Sequence, residues 1–197
     1  MLITKIDFPE CEYVKERTQK TMIVLHHTVS ASGAYVDDWW KSDNGKSRVA
    51  VPFIVEKTGE IFQLFKPCYW AYHIGKGSSR DDNRKSIGIE IVNEGPLVEK
   101  DGNFYWNNGK TLYTGIAYTH ADMWRGSKFY ASYTDAQYKA VSELLVRLCA
   151  EFLIPKDIIT SYAFAEKYFS HKGIVSHHNL RSDKSDVSVA FKFGKLF

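Results

Sequence analysis

Two apolar runs of this chain, far apart in sequence, each end on a pair of histidines, and any fold must account for both. Thr21-Met22-Ile23-Val24-Leu25 leads into His26-His27, and Gly173-Ile174-Val175-Ser176 leads into His177-His178. Short, partly β-branched, continuously apolar runs read as buried strands, so each pair is expected at the rim of a sheet. The second pair is followed by Asn179-Leu180-Arg181-Ser182-Asp183-Lys184-Ser185-Asp186, expected to loop over that rim. Imidazole nitrogens and carboxylate oxygens are good ligands for zinc and similar divalent ions. A catalytic zinc takes three protein ligands and leaves a fourth position for water. His177 and Asp186 would supply two of them, and His26 or His27 the third. One His–His pair is ordinary; two in this setting point to a metal site.

Composition narrows the class. A chain of 197 residues fits one domain, and 44% hydrophobic with 25% charged residues suits a soluble globular protein. A net charge of +3 without a dense Lys/Arg run argues against a nucleic-acid partner. No run approaches the roughly 18 apolar residues of a membrane span. Cys11, Cys68 and Cys149 are odd in number and widely spaced, which suits reduced thiols better than a disulfide framework or a zinc knuckle. Met1-Leu2-Ile3-Thr4-Lys5-Ile6-Asp7 lacks the basic-then-apolar pattern of a signal peptide. Synthesis in the cytoplasm without a signal peptide, and a monomeric state, are expected.

Along the chain, residues up to Lys20 read as a lead-in strand and loop. Tyr35, Val36, Trp39 and Trp40 recur at helical spacing, and core packing is the favoured use of that aromatic face. Val49–Glu56 and Glu60–Phe65 flank Lys57-Thr58-Gly59 and read as a β-hairpin. Ser86–Asn93 is another strand, with Glu90 between Ile89 and Ile91; a carboxylate there is costly to bury unless it is paired or placed at a site. Gly95–Ser132 reads as a long irregular stretch, and long loops in compact domains are often functional. Thr134 and Gln137 form a capping box, followed by apolar residues at helical spacing from Tyr138 to Phe152, with Pro155 as the stop. A weaker helix is expected near Tyr162–Phe169. The pattern is that of a single α/β domain.

Five fragments in order, Ile23–Ser30, Pro52–Phe65, Trp70–Gly75, Ser86–Asn93 and Ile174–Phe191, resemble the zinc-dependent N-acetylmuramoyl-L-alanine amidases. That family includes phage endolysins of the type-2 amidase class and is similar in fold to peptidoglycan recognition proteins. The resemblance implies a central mixed β-sheet flanked by helices. It also selects His26 over His27 in Leu25-His26-His27-Thr28, and it implies a zinc ion on His26, His177 and Asp186. Glu90 is implied as the catalytic carboxylate, Lys184 as a catalytic cation, and His73 and Trp70 as substrate contacts. Three departures stand out: Ser176 where the family has Gly, Val187-Ser188 where it has Pro-Gly, and Val51-Pro52 where it often carries Tyr or His. The last removes a polar side chain, so activity would rest more on Glu90 and Lys184.

The implied reaction is hydrolysis of the amide between the muramic acid lactyl group and L-alanine in peptidoglycan, with Glu90 as general base and Lys184 facing the oxyanion. The protein would then act on the cell wall, reached through lysis or a dedicated export route. Three rivals are weighed. A recognition module of the same fold typically lacks a ligand that this chain retains. A non-haem iron oxygenase generally wants a close His-x-Asp pair. A structural zinc wants a fourth protein ligand, for which Cys149 is poorly placed.

Overall fold

The computed structural model describes residues 2–42 and 44–197. In chain order its strands are β1 (Ile3–Lys5), β2 (Met22–His27), β3 (Phe53–Val55), β4 (Ile61–Gln63), β5 (Ser86–Ile91), β6 (Pro96–Lys100), β7 (Asn103–Trp106), β8 (Thr111–Leu112), β9 (Ala117–Trp124), β10 (Ser127–Ala131) and β11 (Gly173–Ser176). The helices are α1 (Gly33–Lys41), α2 (Arg80–Arg84), α3 (Asp135–Phe152) and α4 (His177–Leu180). The principal sheet runs β1-β4-β3-β5-β2-β11. β3 and β4 are the antiparallel hairpin, while β3, β5, β2 and β11 are mutually parallel along the sheet. It is a mixed sheet, and the carboxyl ends of β2, β5 and β11 share one edge, the edge where open α/β sheets bind ligands.

Every residue of β2, β5 and β11 is buried, as expected for strands covered on both faces. The period of two divides them. Ile23, Leu25, Ile87, Ile89 and Ile91 point to one side and pack under α3 through Val141, Leu144, Leu145 and Leu148. A side chain of that kind, fully buried, contributes about 1.5–3 kcal/mol. Met22, Val24 and Val175 point to the other side, against Ile74 and Leu180. On that same side Val36 and Trp40 of α1 pack with Val51 and Ile54. α3 begins with the expected Thr134–Gln137 capping box and ends at Leu153, which takes the left-handed conformation at φ 55° two residues before Pro155. Among the described residues no helix is long and apolar enough to cross a membrane.

Three local expectations are corrected. Gly95–Ser132 is not irregular: it contains an antiparallel sheet of five strands in the order β8-β7-β6-β10-β9. Its turns carry Asp101-Gly102, Asn108-Gly109 and Arg125-Gly126, all at positive φ, the chemistry of tight hairpins. Near Tyr162–Phe169 the chain forms only a 3-10 turn, Glu166–Ser170. The segment after Ser176 does not begin as a loop, because its first turn is the helix α4, capped by Ser176 and Asn179.

Candidate metal centre

Strand geometry splits the first histidine pair. Neighbouring residues of a strand face opposite sides, so His26 points to the face away from α3 and His27 into the α3 side. There His27, 3% exposed, sets its Nδ1 2.8 Å from the Tyr133 hydroxyl. The second pair is split by a helical step. His178, fully buried, turns away to pack edge-on against Trp124, with ring centroids 5.4 Å apart, while His177 faces His26. The chain then returns, and the His178 N–H donates to the Asp186 carbonyl at 2.8 Å. That return places the Asp186 side chain beside both imidazoles: Oδ2 lies 2.9 Å from His177 Nδ1 and 3.2 Å from His26 Nδ1, and the two Nδ1 atoms are 3.0 Å apart. Among the described residues, only His26, His177 and Asp186 converge as a group of potential ligands.

Hydrogen-bond direction at the far side of each ring fixes what the near side offers. The Ser86 hydroxyl donates to the Asp82 carbonyl at 2.8 Å, so toward His73 Nε2, also at 2.8 Å, it can only accept. His73 therefore carries its proton on Nε2 and presents a lone pair on Nδ1. That lone pair accepts from His26 Nε2 at 2.9 Å, which leaves the Nδ1 of His26 bare. His177 Nε2 donates to the Ile74 carbonyl at 2.7 Å, so in the neutral ring its Nδ1 is bare as well. With both rings neutral, two imidazole lone pairs and a carboxylate oxygen thus face one another within about 3 Å. A metal ion among them would take all three, and two nitrogens with one oxygen are donors a zinc ion accepts. The residues fit the metal.

Burial sets the protonation of the surroundings. It lowers the pKa of His26 to about 4, assisted by His177, and holds His27 and His178 at about 4 as well. Neutral imidazole is the ligating form. For Asp186, burial pushes the carboxyl up, but His177 and His26 outweigh it and hold the group well below the usual range. Glu90 is the opposite case. It lies in register with His26 on β2 and Ile54 on β3, on the cleft face, and burial together with the Asp186 charge raises its pKa well above the usual range, against a lowering by Lys184.

His26, His177, Asp186 and Glu90 line a cleft of about 540 Å³, together with Lys184, Tyr35 and Trp39. The aromatic face of α1 is divided: Val36 and Trp40 join the core, whereas Tyr35 and Trp39 are 71% and 61% exposed on the cleft wall. The two expected substrate contacts are placed differently. His73 lines the cleft but is engaged at both nitrogens behind His26. Trp70 lies outside it, 2% exposed, donating to Glu16 at 2.9 Å and covered by the Arg80 guanidinium. Two supporting residues were not foreseen. Asn83, 1% exposed, accepts from the N–H groups of His73 and Ile74 and so fixes their loop. Ser86 orients His73, and the sequence did carry a signal for it: Ser86, Gly88 and Glu90 alternate on one strand face. Gly88 is needed there, because a Cβ would sit 2.4 Å from Val51 and 3.2 Å from His73 Nδ1.

Residues 16–188 match a family described as N-acetylmuramoyl-L-alanine amidase. No curated protein is significantly similar to the chain in sequence. Solved structures share its fold. The amidase LysC from Clostridium intestinale URNW is 14% identical with a TM-score of 0.58, the match covering 100% of this chain and 95% of that one. The Ph2119 endolysin from the Thermus scotoductus MAT2119 bacteriophage Ph2119 is 16% identical at 0.57, covering 99% and 96%. An AmpD derivative is also 16% identical at 0.57, covering 98% and 92%.

Proposed function

The chain belongs to the N-acetylmuramoyl-L-alanine amidase family, and on that premise we propose a zinc-dependent mechanism for cleavage of peptidoglycan. The scissile bond is the amide between the lactyl group of N-acetylmuramic acid and L-alanine, and residues 1–197 act as one catalytic domain. The zinc ligands are His26, His177 and Asp186. The observation that carries this reading is the meeting of three potential ligand atoms beside a buried glutamate in one open cleft.

A zinc ion held there would lower the pKa of its water towards about 7 and polarise the amide carbonyl. Glu90 accepts the water proton and returns it to the leaving amine; its raised pKa keeps the carboxyl from being too weak a base for the task. Lys184, on the same cleft, faces the charge that develops on the carbonyl oxygen. Tyr35 and Trp39 offer exposed aromatic faces on which a sugar ring can lie. His73 is a positioning residue for His26 in this scheme, not a substrate contact. The protein acts at the cell wall, reached by lysis or a dedicated export route.

The test measures zinc content, muropeptide affinity and newly released L-alanine amino groups in Glu90→Gln and Lys184→Ala. Both should keep the metal and the affinity. Glu90→Gln should lose about 10²–10⁴-fold in turnover and Lys184→Ala roughly 10²–10³-fold. Near-wild-type turnover in Glu90→Gln would remove it from the proton-transfer role. Wild-type protein that binds muropeptide but frees no amino group would be a recognition module.

A further inference from the structure

A second cavity, of about 290 Å³, opens beside the cleft, and Val29 lines both. It lies beyond the carboxyl ends of β2 and β5, where Thr28 and Ser30 continue to pair with Ile91 and Asn93. Its other wall belongs to the second sheet, through Asn107 and Asn108 after β7 and Arg125 between β9 and β10. Two of its polar side chains each carry a buried atom without a hydrogen bond. Glu94 is 5% exposed; one carboxylate oxygen pairs with Lys57 and the other, Oε2, is buried without a hydrogen bond. Arg125 makes no ion pair among the described residues; its guanidinium lies 5.6 Å over the Trp124 ring with Nε buried and unbonded. The backbone is also held in an unusual state here. Val29, Asn107, Asn108 and Arg125 have φ of 48°, 52°, 56° and 48°. Such a conformation costs free energy in a β-branched residue like Val29, and strain of this kind gathers at binding sites.

Since Lys57 already neutralises Glu94, the unbalanced charge in the cavity is the Arg125 cation. A guanidinium selects carboxylates, and selects them by its fork as well as by its charge. Glu94 Oε2 in turn asks for an N–H. One residue of a peptide with a free carboxylate beside its amide or amino nitrogen satisfies both.

We propose that this cavity is a subsite for a carboxylate-bearing residue of the substrate's peptide, with Arg125 on the carboxylate and Glu94 Oε2 on the neighbouring N–H. This rests on the amidase reading, which makes a peptide the leaving group of the cleft next door. It assigns to the second sheet the selection of peptides by charge.

The experiment titrates wild type, Arg125→Gln and Arg125→Lys with a synthetic muramyl tripeptide carrying free carboxylates and with its fully amidated counterpart, by calorimetry on catalytically silent Glu90→Gln backgrounds. Wild type should bind the free acid about tenfold more tightly than the amidated form. Arg125→Gln should abolish that preference, and Arg125→Lys should restore only part of it. In the active enzyme the same loss should appear in KM. Equal affinity of wild type for both peptides, or an undiminished preference in Arg125→Gln, overturns the subsite. The outcome is separable from the amidase reading, because the binding preference is measured without turnover: an inactive wild-type protein that still discriminates the two peptides would retain the subsite and lose the enzyme. Unchanged zinc content and thermal midpoint in both variants verify that the fold is intact.

Discussion

At the scale of single residues, the geometry of the candidate centre depends on groups outside the His26, His177 and Asp186 set. The Asp82 carbonyl, Ser86, His73 and His26 form one directed chain of hydrogen bonds whose end is a bare Nδ1. Ser86→Ala leaves His73 free to invert its tautomer and present a proton to His26. Metal affinity, read by competition with a chelator, should fall about 10–100-fold, and Ser86→Thr, which keeps the hydroxyl, should restore most of it. An unchanged affinity in Ser86→Ala would show that the hydroxyl does not set the His73 tautomer. The histidine pairs give a second contrast. His26→Ala and Asp186→Ala should lose the metal. His27→Ala and His178→Ala should keep it while costing about 1–3 kcal/mol of stability, because each removes a buried ring with a polar partner. Loss of zinc from His27→Ala with the fold intact would mean that the wrong member of the pair has been assigned.

At the scale of elements, the entry to β2 is held by a buried lysine. Lys20, 2% exposed, donates to the Arg84 carbonyl at 2.7 Å and the Ser86 carbonyl at 3.1 Å, tying the chain before β2 to the start of β5. Burial lowers its pKa to about 7 from an ordinary 10.5, Cys68 and Glu16 opposing and Arg84 assisting. The native state therefore gives up this proton near pH 7, whereas the unfolded chain keeps it to about 10.5. Between those values the unfolded state binds more protons, so stability rises with pH; below pH 7 the full cost of the buried charge is present. Urea unfolding of wild type and Lys20→Met at pH 6, 8 and 10 should show the wild type gaining on the variant across the series. Parallel curves would show that Lys20 keeps its charge in the folded protein.

At the scale of the whole molecule, the second sheet is not an appendage. Leu97, Tyr130 and Ala131 are buried, and Tyr130 belongs to the core under α3. Trp124, at the end of β9, donates to the Tyr162 carbonyl at 3.3 Å and packs edge-on against His178, the neighbour of His177. The sheet thus braces the short helix that carries one candidate ligand. Trp124→Ala should cost about 2 kcal/mol, below the range for a fully buried Trp because this one is half-buried, and it should weaken metal binding through α4. A shifted denaturation midpoint with unaltered zinc affinity would limit the role of Trp124 to packing.

The sequence by itself determined the elements whose physics is local. Continuous β-branched runs gave β2, β5 and β11, the Thr134–Gln137 box and its apolar stripe gave α3, and Lys57-Thr58-Gly59 gave the hairpin of β3 and β4. It also put the histidine pairs at strand ends and Glu90 inside an apolar strand, and the resemblance named the candidate ligands. The second sheet was missed because its strands are half-exposed and polar, so their alternation is weak, although Asn108-Gly109 and Arg125-Gly126 marked its turns. Only the tertiary structure could decide the rest. Trp70 is buried and Trp39 exposed because the packing partners of each are remote in sequence. Which nitrogen of His26 is bare depends on a hydroxyl 60 residues later, Ser86, and on the carbonyl to which it donates. Hydrogen-bond direction is a property of the assembled network, and no single segment of this chain contains enough of that network to fix it.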